Sequence, residues 1–260
     1  MDWQIIALGT GASAAAGLAT AAGALPVFVV RNISQALQNS FLGFAAGVML
    51  AASFFSLILP GLELAQEASG SAAVAAGIMA AAVLLGSATL NIINRLAPHE
   101  HFITGPTEKG AMSRLSRIWL FVIAISLHNF PEGLAVGVSF GGDDVGKGWA
   151  TALGIGIQNV PEGLAVAIAL VSVGYGRLFA FLVALGTGLI EPVGGFLGIS
   201  AVTTIGGLLP WGLGFAGGAM IWVVSSEIIP ETHREGNQGV ATGALMVGLA
   251  LMMFLDWTFG

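Results

Sequence analysis

The chain has 260 residues, 56% apolar and only 8% charged, against about 25% charged in a soluble domain; a soluble enzyme is excluded and an integral membrane protein is expected. It has no cysteine, which excludes disulfides and thiolate metal sites, and its 39 glycines suit close approach of membrane helices. The net charge of −6 says less about partners than the placement of the charges does.

Eight apolar stretches reach the roughly 20 residues needed to cross the hydrocarbon: 3–30, 41–62, 72–96, 117–140, 149–171, 178–200, 207–230 and 239–258. They are long runs rather than short alternating segments, so the expected fold class is all-α, a polytopic membrane bundle and not a barrel. Residues 1–260 are expected to form a single transmembrane domain. The first stretch follows Met1-Asp2-Trp3 with no basic segment and reads as a retained span, not a signal peptide.

Seven of the eight Lys and Arg residues fall at odd-numbered connections: Arg31, then Arg95, Lys109, Arg114 and Arg117, then Arg177, then Arg234. Only Lys147 lies on the other side. The positive-inside rule makes the odd connections cytoplasmic. A multi-pass protein of the cell (inner or plasma) membrane follows, with both termini outside. The outer side carries Asp2, Glu63, Glu67, Asp143, Asp144 and Asp256. These acids either concentrate cations by their field or simply solvate the loops.

In chain order, span 2 contains Met49, which by itself reads as a gap-filler. The inner loop holds His99, Glu100 and His101, either a metal-like cluster or an ordinary charged loop. Spans 4 and 5 then carry two copies of one phrase. The first runs from His128-Asn129-Phe130-Pro131-Glu132-Gly133 to Phe140, the second from Gln158-Asn159-Val160-Pro161-Glu162-Gly163 to Leu170. A carboxylate at bilayer depth costs several kcal/mol unless partnered, hydrated or neutralised.

His128 lies eleven residues into span 4, about 16 Å at 1.5 Å per residue. Glu162 lies thirteen residues into span 5, running the other way. The copies therefore meet near mid-membrane from opposite directions, the pattern of an inverted pseudo-twofold. His128 and Glu132 share one helix face at i,i+4, as do Gln158 and Glu162. Pro131 and Pro161 are expected to kink these central helices and release the carbonyls of Leu127 and Ile157. Glu191, followed by Pro192, adds a third carboxylate in span 6, and span 7 carries Glu227. Imidazole, carboxylate and amide donors suit Zn²⁺ and tolerate Cd²⁺, Fe²⁺, Mn²⁺ or Co²⁺. The bland alternative is a pair of polar helices glued by Asn and Gln hydrogen bonds. Glu231 and His233 in the last inner loop read as an ion station or as solvated residues.

The paired phrases resemble the ZIP (Zrt/Irt-like) family of divalent-metal transporters, in its GufA-type branch. Gly47-Val48-Met49-Leu50-Ala51-Ala52-Ser53 and Glu191-Pro192-Val193-Gly194-Gly195 match it as well. The resemblance implies import of Zn²⁺, and often other divalent cations, toward the cytoplasm through a two-metal site. One metal would be held by Met49, His128, Glu132, Gln158 and Glu162. The other would be held by Asn129, Glu132, Asn159, Glu162 and Glu191, with Glu132 and Glu162 bridging. It further implies that spans 4 and 5 sit inside a bundle of the others, that the metal-carrying bundle moves against a scaffold by alternating access, and that homodimers are common. Two positions depart from the pattern: Gln158 stands where many members have a second histidine, and Asn159 where some close relatives have Asp.

Three rival readings stand beside this one. A metal-selective cation channel shares the same residues. An intramembrane metalloenzyme would need a His-Glu-x-x-His helix, which is absent, so no catalytic residue or catalytic cofactor is expected. A membrane sensor would need an output domain. The expected partners are divalent metal ions and the lipid bilayer, with no nucleic acid.

Overall fold

The computed structural model describes residues 3–30, 33–96, 114–142, 144–205, 207–233 and 237–259. Among them every regular element is helical. His99, Glu100 and His101 lie outside the described residues, as do Asp2, Arg31, Lys109, Asp143 and Arg234.

Helix α1 (Trp3–Ala24) tightens into a 3-10 turn, Leu25–Phe28, where Pro26 occupies the first positions. Helix α2 (Gln35–Ala51), a π-helical turn (Ala52–Ile58) and α3 (Leu59–Ser69) form one continuous 35-residue stretch. It begins where the Ser34 hydroxyl accepts a hydrogen bond from the Leu37 amide at 3.3 Å. It stops at Gly70, whose φ of +67° is a left-handed conformation that glycine adopts without a Cβ penalty. At 1.5 Å per residue it is roughly 50 Å long, well beyond a hydrocarbon core of about 30 Å. Hydropathy alone suggests the shorter span 41–62. Its polar ends, Gln35 to Asn39 and Glu63 to Glu67, stay helical because a helix needs no apolar side chains outside the bilayer.

Helix α4 (Ala72–Leu96) follows, then α5 (Arg114–Ser139), which carries the first phrase, and α6 (Val145–Val171), which carries the second. The Asp144 carboxylate caps α6 by accepting from the Gly146 amide at 2.9 Å. Pro131 and Pro161 lie inside their helices, and helical structure continues on both sides. The sixth stretch is divided: α7 (Arg177–Gly188) ends in a turn, and α8 (Glu191–Thr204) restarts at Glu191 with Pro192 in its first turn. Proline fits there because its missing N–H is one that a helix start leaves unpaired anyway. Helix α9 (Leu209–Val223), a second π turn (Val224–Ile228) and α10 (Ile229–His233) make the next stretch, and α11 (Gln238–Phe259) the last. Seven helical stretches among the described residues are long and apolar enough to cross a membrane, and α5 is a further 26-residue helix.

The helices pack as two bodies. In the first, α1 lies along α6, α7 and α8, and α5 along α8. In the second, α2 lies along α11, and α4 and the first π turn along α9. Within each body, glycines press backbone on backbone. A Cβ at Gly133 would collide with the Glu191 carbonyl, and one at Gly163 with that of Thr20. In the second body, Gly47 meets the Leu245 carbonyl and Gly218 that of Val83. Between the bodies the contacts are mixed: Gly154 meets the Met252 thioether and Gly212 the methyls of Val202 and Val138, while Gly146 meets the Phe259 carbonyl.

Polarity is inverted relative to a soluble protein. Leu84, Leu178, Val247 and Phe254 are exposed, while His128, Asn129, Glu132, Gln158, Asn159, Glu162 and Glu191 are buried.

Candidate metal-handling site

The first phrase places His128, Asn129 and Glu132 on α5, the second Gln158, Asn159 and Glu162 on α6. Glu191 joins them because α8 restarts at that residue and packs against α5, where Gly133 and Gly194 remove the side chains that would hold the two backbones apart. None of these residues, nor Met49, is more than 5% exposed.

Amides hold the carboxylates. The Gln158 amide Nε2 donates to Glu132 Oε1 at 2.6 Å and, more weakly, to Asn159 Oδ1 at 3.4 Å. Asn159 Nδ2 donates to Glu191 Oε1 at 2.7 Å and to the Ala16 carbonyl on α1 at 2.9 Å. Two carboxylates are thus tied through two amides into one network spanning α1, α5, α6 and α8. Glu162 has no such tie, but it lies within electrostatic reach of Glu132 and Glu191.

His128 faces a different partner. Its Nε2 lies 2.9 Å from Glu227 Oε2, in the second π turn of the other body. An ionised carboxylate only accepts, so against an ionised Glu227 the imidazole proton sits on Nε2 and Nδ1 carries the lone pair.

A set of buried polar atoms has no protein partner: His128 Nδ1, Glu132 Oε2, Gln158 Oε1, Glu162 Oε1, Glu191 Oε2 and both amide atoms of Asn129. Buried polar groups are rarely left so. Lone pairs of this kind on imidazole, carboxylate and amide oxygen are the donors a divalent cation uses. Among the described residues, no three of His, Cys, Asp and Glu gather closely enough to hold a metal ion by themselves. The like charges are instead interleaved with amides.

Met49 sits in the main apolar cluster, which draws residues from both bodies, and its carbonyl accepts from the Ser53 hydroxyl at 2.7 Å. His233 Nδ1 lies 2.8 Å from the Ile229 carbonyl and so donates to it, closing the end of α10. Lys147 meets Glu63 at 3.9 Å, with Lys147 partly and Glu63 largely exposed, a pair of little energetic weight. Asp256 is held by the Ser56 hydroxyl at 2.7 Å.

The sequence reading misses one participant, the Ala16 carbonyl, and names Glu227 without its partner His128. The Ala16 carbonyl is a backbone atom in a stretch of small residues and leaves no sequence signal. Glu227 had one: a histidine at bilayer depth needs a partner for its second nitrogen, and a lone acid in an apolar span needs one too.

The ZIP zinc transporter family model matches residues 97–256. The zinc transporter GufA of Myxococcus xanthus is 46% identical over 249 residues, covering 96% of this chain and 98% of the relative. The zinc transporter ZIPB of Bordetella bronchiseptica is 49% identical over 247 residues, 95% of this chain and 80% of the relative. The zinc transporter ZupT of Corynebacterium aurimucosum is 33% identical over 258 residues, 97% of each. A buried carboxylate–amide–imidazole network inside apolar helices and likeness along nearly the whole chain lead to the same place: the chain belongs to the ZIP family of zinc transporters.

Proposed function

We propose that this protein carries divalent metal, with Zn²⁺ as the main cargo, across the cell membrane toward the cytoplasm. The observation that carries the reading is the set of unpartnered lone pairs on His128, Glu132, Gln158 and Glu162, buried at the centre of a membrane bundle. The named activity of the relatives supports zinc as the ion. These four residues, with Met49 reaching in from the second body, hold the transported ion. Cd²⁺, Fe²⁺, Mn²⁺ and Co²⁺ fit the same donors with different affinity. The protein works as a transporter and not as an enzyme, and residues 1–260 act as one transport domain.

Helix α5 serves as an eighth span, which puts both termini on the outer side. The two phrases act as inverted halves of one centre, with α5 and α6 bent at Pro131 and Pro161. Alternating access proceeds by movement of the first body against the second. The support for movement is that the most extensive helix pairings, α1 with α6, α5 with α8, α2 with α11 and α4 with α9, all lie within a body. Two protomers pair as a homodimer in the bilayer.

Uptake of metal into proteoliposomes tests the reading. His128→Ala and Glu162→Ala are each expected to reduce zinc uptake to the protein-free background while leaving the amount of folded protein unchanged. Normal uptake in either variant sinks the site assignment. A flux that fails to saturate as zinc rises through the micromolar range favours the channel reading over the carrier.

A further inference from the structure

The four-residue centre of the proposed transport function has an unequal neighbour, where the family resemblance would put a second metal against Asn129, Glu132, Asn159, Glu162 and Glu191. In this chain the hydrogen bonds at that place run the wrong way for a metal. Asn159 presents its nitrogen to Glu191, at 2.7 Å. The same nitrogen donates to the Ala16 carbonyl at 2.9 Å. An amide NH₂ carries two protons, and both are spent.

The orientation is fixed by chemistry as well as by placement. A backbone carbonyl can only accept, so the group facing Ala16 must be a donor. Rotating the amide would set its one oxygen, Oδ1, against both the Ala16 carbonyl and the Glu191 carboxylate. Two buried hydrogen bonds would be lost and acceptor set against acceptor, which is costly where no water compensates. The contrast with Gln158 is direct. Its Nε2 is also committed, but its Oε1 has no protein partner and remains available to an ion.

We infer that the Asn159 amide takes the place of the second metal: its two N–H groups tie Glu191 to α1, and the transport centre holds one ion. Asn159 is thus a positioning residue and not a ligand. The side chain supplies Glu191 with the donor contact that a cation would otherwise supply, and it fastens α8 to α1 and α6 whether or not cargo is bound. An aspartate at this position has no proton to offer the Ala16 carbonyl, and ionised beside Glu191 it would call for a cation. The identity of residue 159 therefore sets how many ions the centre holds.

The test is equilibrium binding of Zn²⁺ to the purified full-length protein in nanodiscs, read as ions bound per protomer, with Cd²⁺ as a second probe. Differences between variants cancel any ion held elsewhere on the chain. Asn159→Asp is expected to raise the stoichiometry by one, and the added ion is expected to vanish in the Asn159→Asp/Glu191→Gln double variant. Glu191→Gln in the natural background is expected to leave the stoichiometry where it was. If Glu191→Gln or Asn159→Ala loses one ion, the natural protein already holds a second metal and the inference is overturned. An unchanged stoichiometry in folded Asn159→Asp overturns it as well. Should Asn159→Asp fail to fold, the Glu191→Gln comparison still decides. His128→Ala serves as the control for the transport reading itself: if it loses no ion, that reading fails, independently of what Asn159 does.

Discussion

The two copies of the phrase share Asn, Pro, Glu, Gly, Leu, Ala and Val at matching places, yet the structure connects them differently. In the first copy, His128 reaches out of its own body to Glu227 in the second. In the second copy, Gln158 and Asn159 turn inward and bind Glu132, Glu191 and the Ala16 carbonyl, all in the first body. One copy touches the partner body, and the other organises the carboxylates. Repetition of letters therefore does not convey equality of role, and the opening residue of each copy makes the difference. A histidine has two nitrogens that can serve a partner and an ion at once. A glutamine can spend its nitrogen on a carboxylate and keep its oxygen for the ion.

The strongest way to break this comparison is to exchange the opening residues. The double variant His128→Gln/Gln158→His keeps the composition and the depth of both groups. It is expected to leave zinc uptake at background, because the Gln158 bridge to Glu132 and the His128 contact to Glu227 are both lost. Recovery of uptake to the natural level would show that the copies are interchangeable.

A smaller effect is expected at Glu227. A carboxylate that hydrogen-bonds the far nitrogen of a ligating histidine fixes its tautomer and orientation, and removing such a partner costs about 10–100-fold in metal affinity. Glu227→Ala is expected to weaken zinc binding by that order, measured by competition with a chelating dye. It should add little further loss when combined with His128→Ala, since the two act as a unit. Independent, additive losses would mean that Glu227 does not act through His128.

The smallest effect is expected at Met49, whose place in the apolar cluster fits packing as well as ligation. Met49→Ala is expected to lower Cd²⁺ affinity a few-fold more than Zn²⁺ affinity, because the thioether is a soft donor. Equal loss for both ions assigns Met49 to packing alone. Across all of these variants, the ligands bind metal as neutral imidazole and ionised carboxylate. Protons compete for the same lone pairs, so zinc affinity falls as pH is lowered from about 7 to about 5.

Most of the all-helical fold and the polar centre could be read from residue order. Long apolar runs mark the helices, and Glu132, Glu162 and Glu191 stand out because carboxylates are expensive at such depth. Other features were not legible, for identifiable reasons. The extension of the second stretch to residues 35–69 lies where side chains turn polar but the backbone does not change. The break before Glu191 is signalled only by one Glu-Pro pair. The turn of Asn159 toward Ala16 depends on a carbonyl that every residue possesses, so no composition or spacing could announce it. The division into two bodies rests on which helices pack along which, and a series of similar apolar runs does not reveal that pairing.

The two π turns carry a consequence of their own. Ala52–Ile58 follows Met49 by three residues, and Val224–Ile228 contains Glu227. A π turn amounts to one residue too many for regular winding. Deleting a single residue from Val224–Ile228, Ser225 for example, would restore an ordinary helix, but it would swing everything on one side of the cut about 100° around the axis. Glu227 could then no longer face His128 unless the rest of the helix turned against its neighbours. The surplus residue thus acts as a phase adjuster: it lets a helix whose first turns, in α9, are set by packing against α4 aim one carboxylate at a histidine in the opposite body.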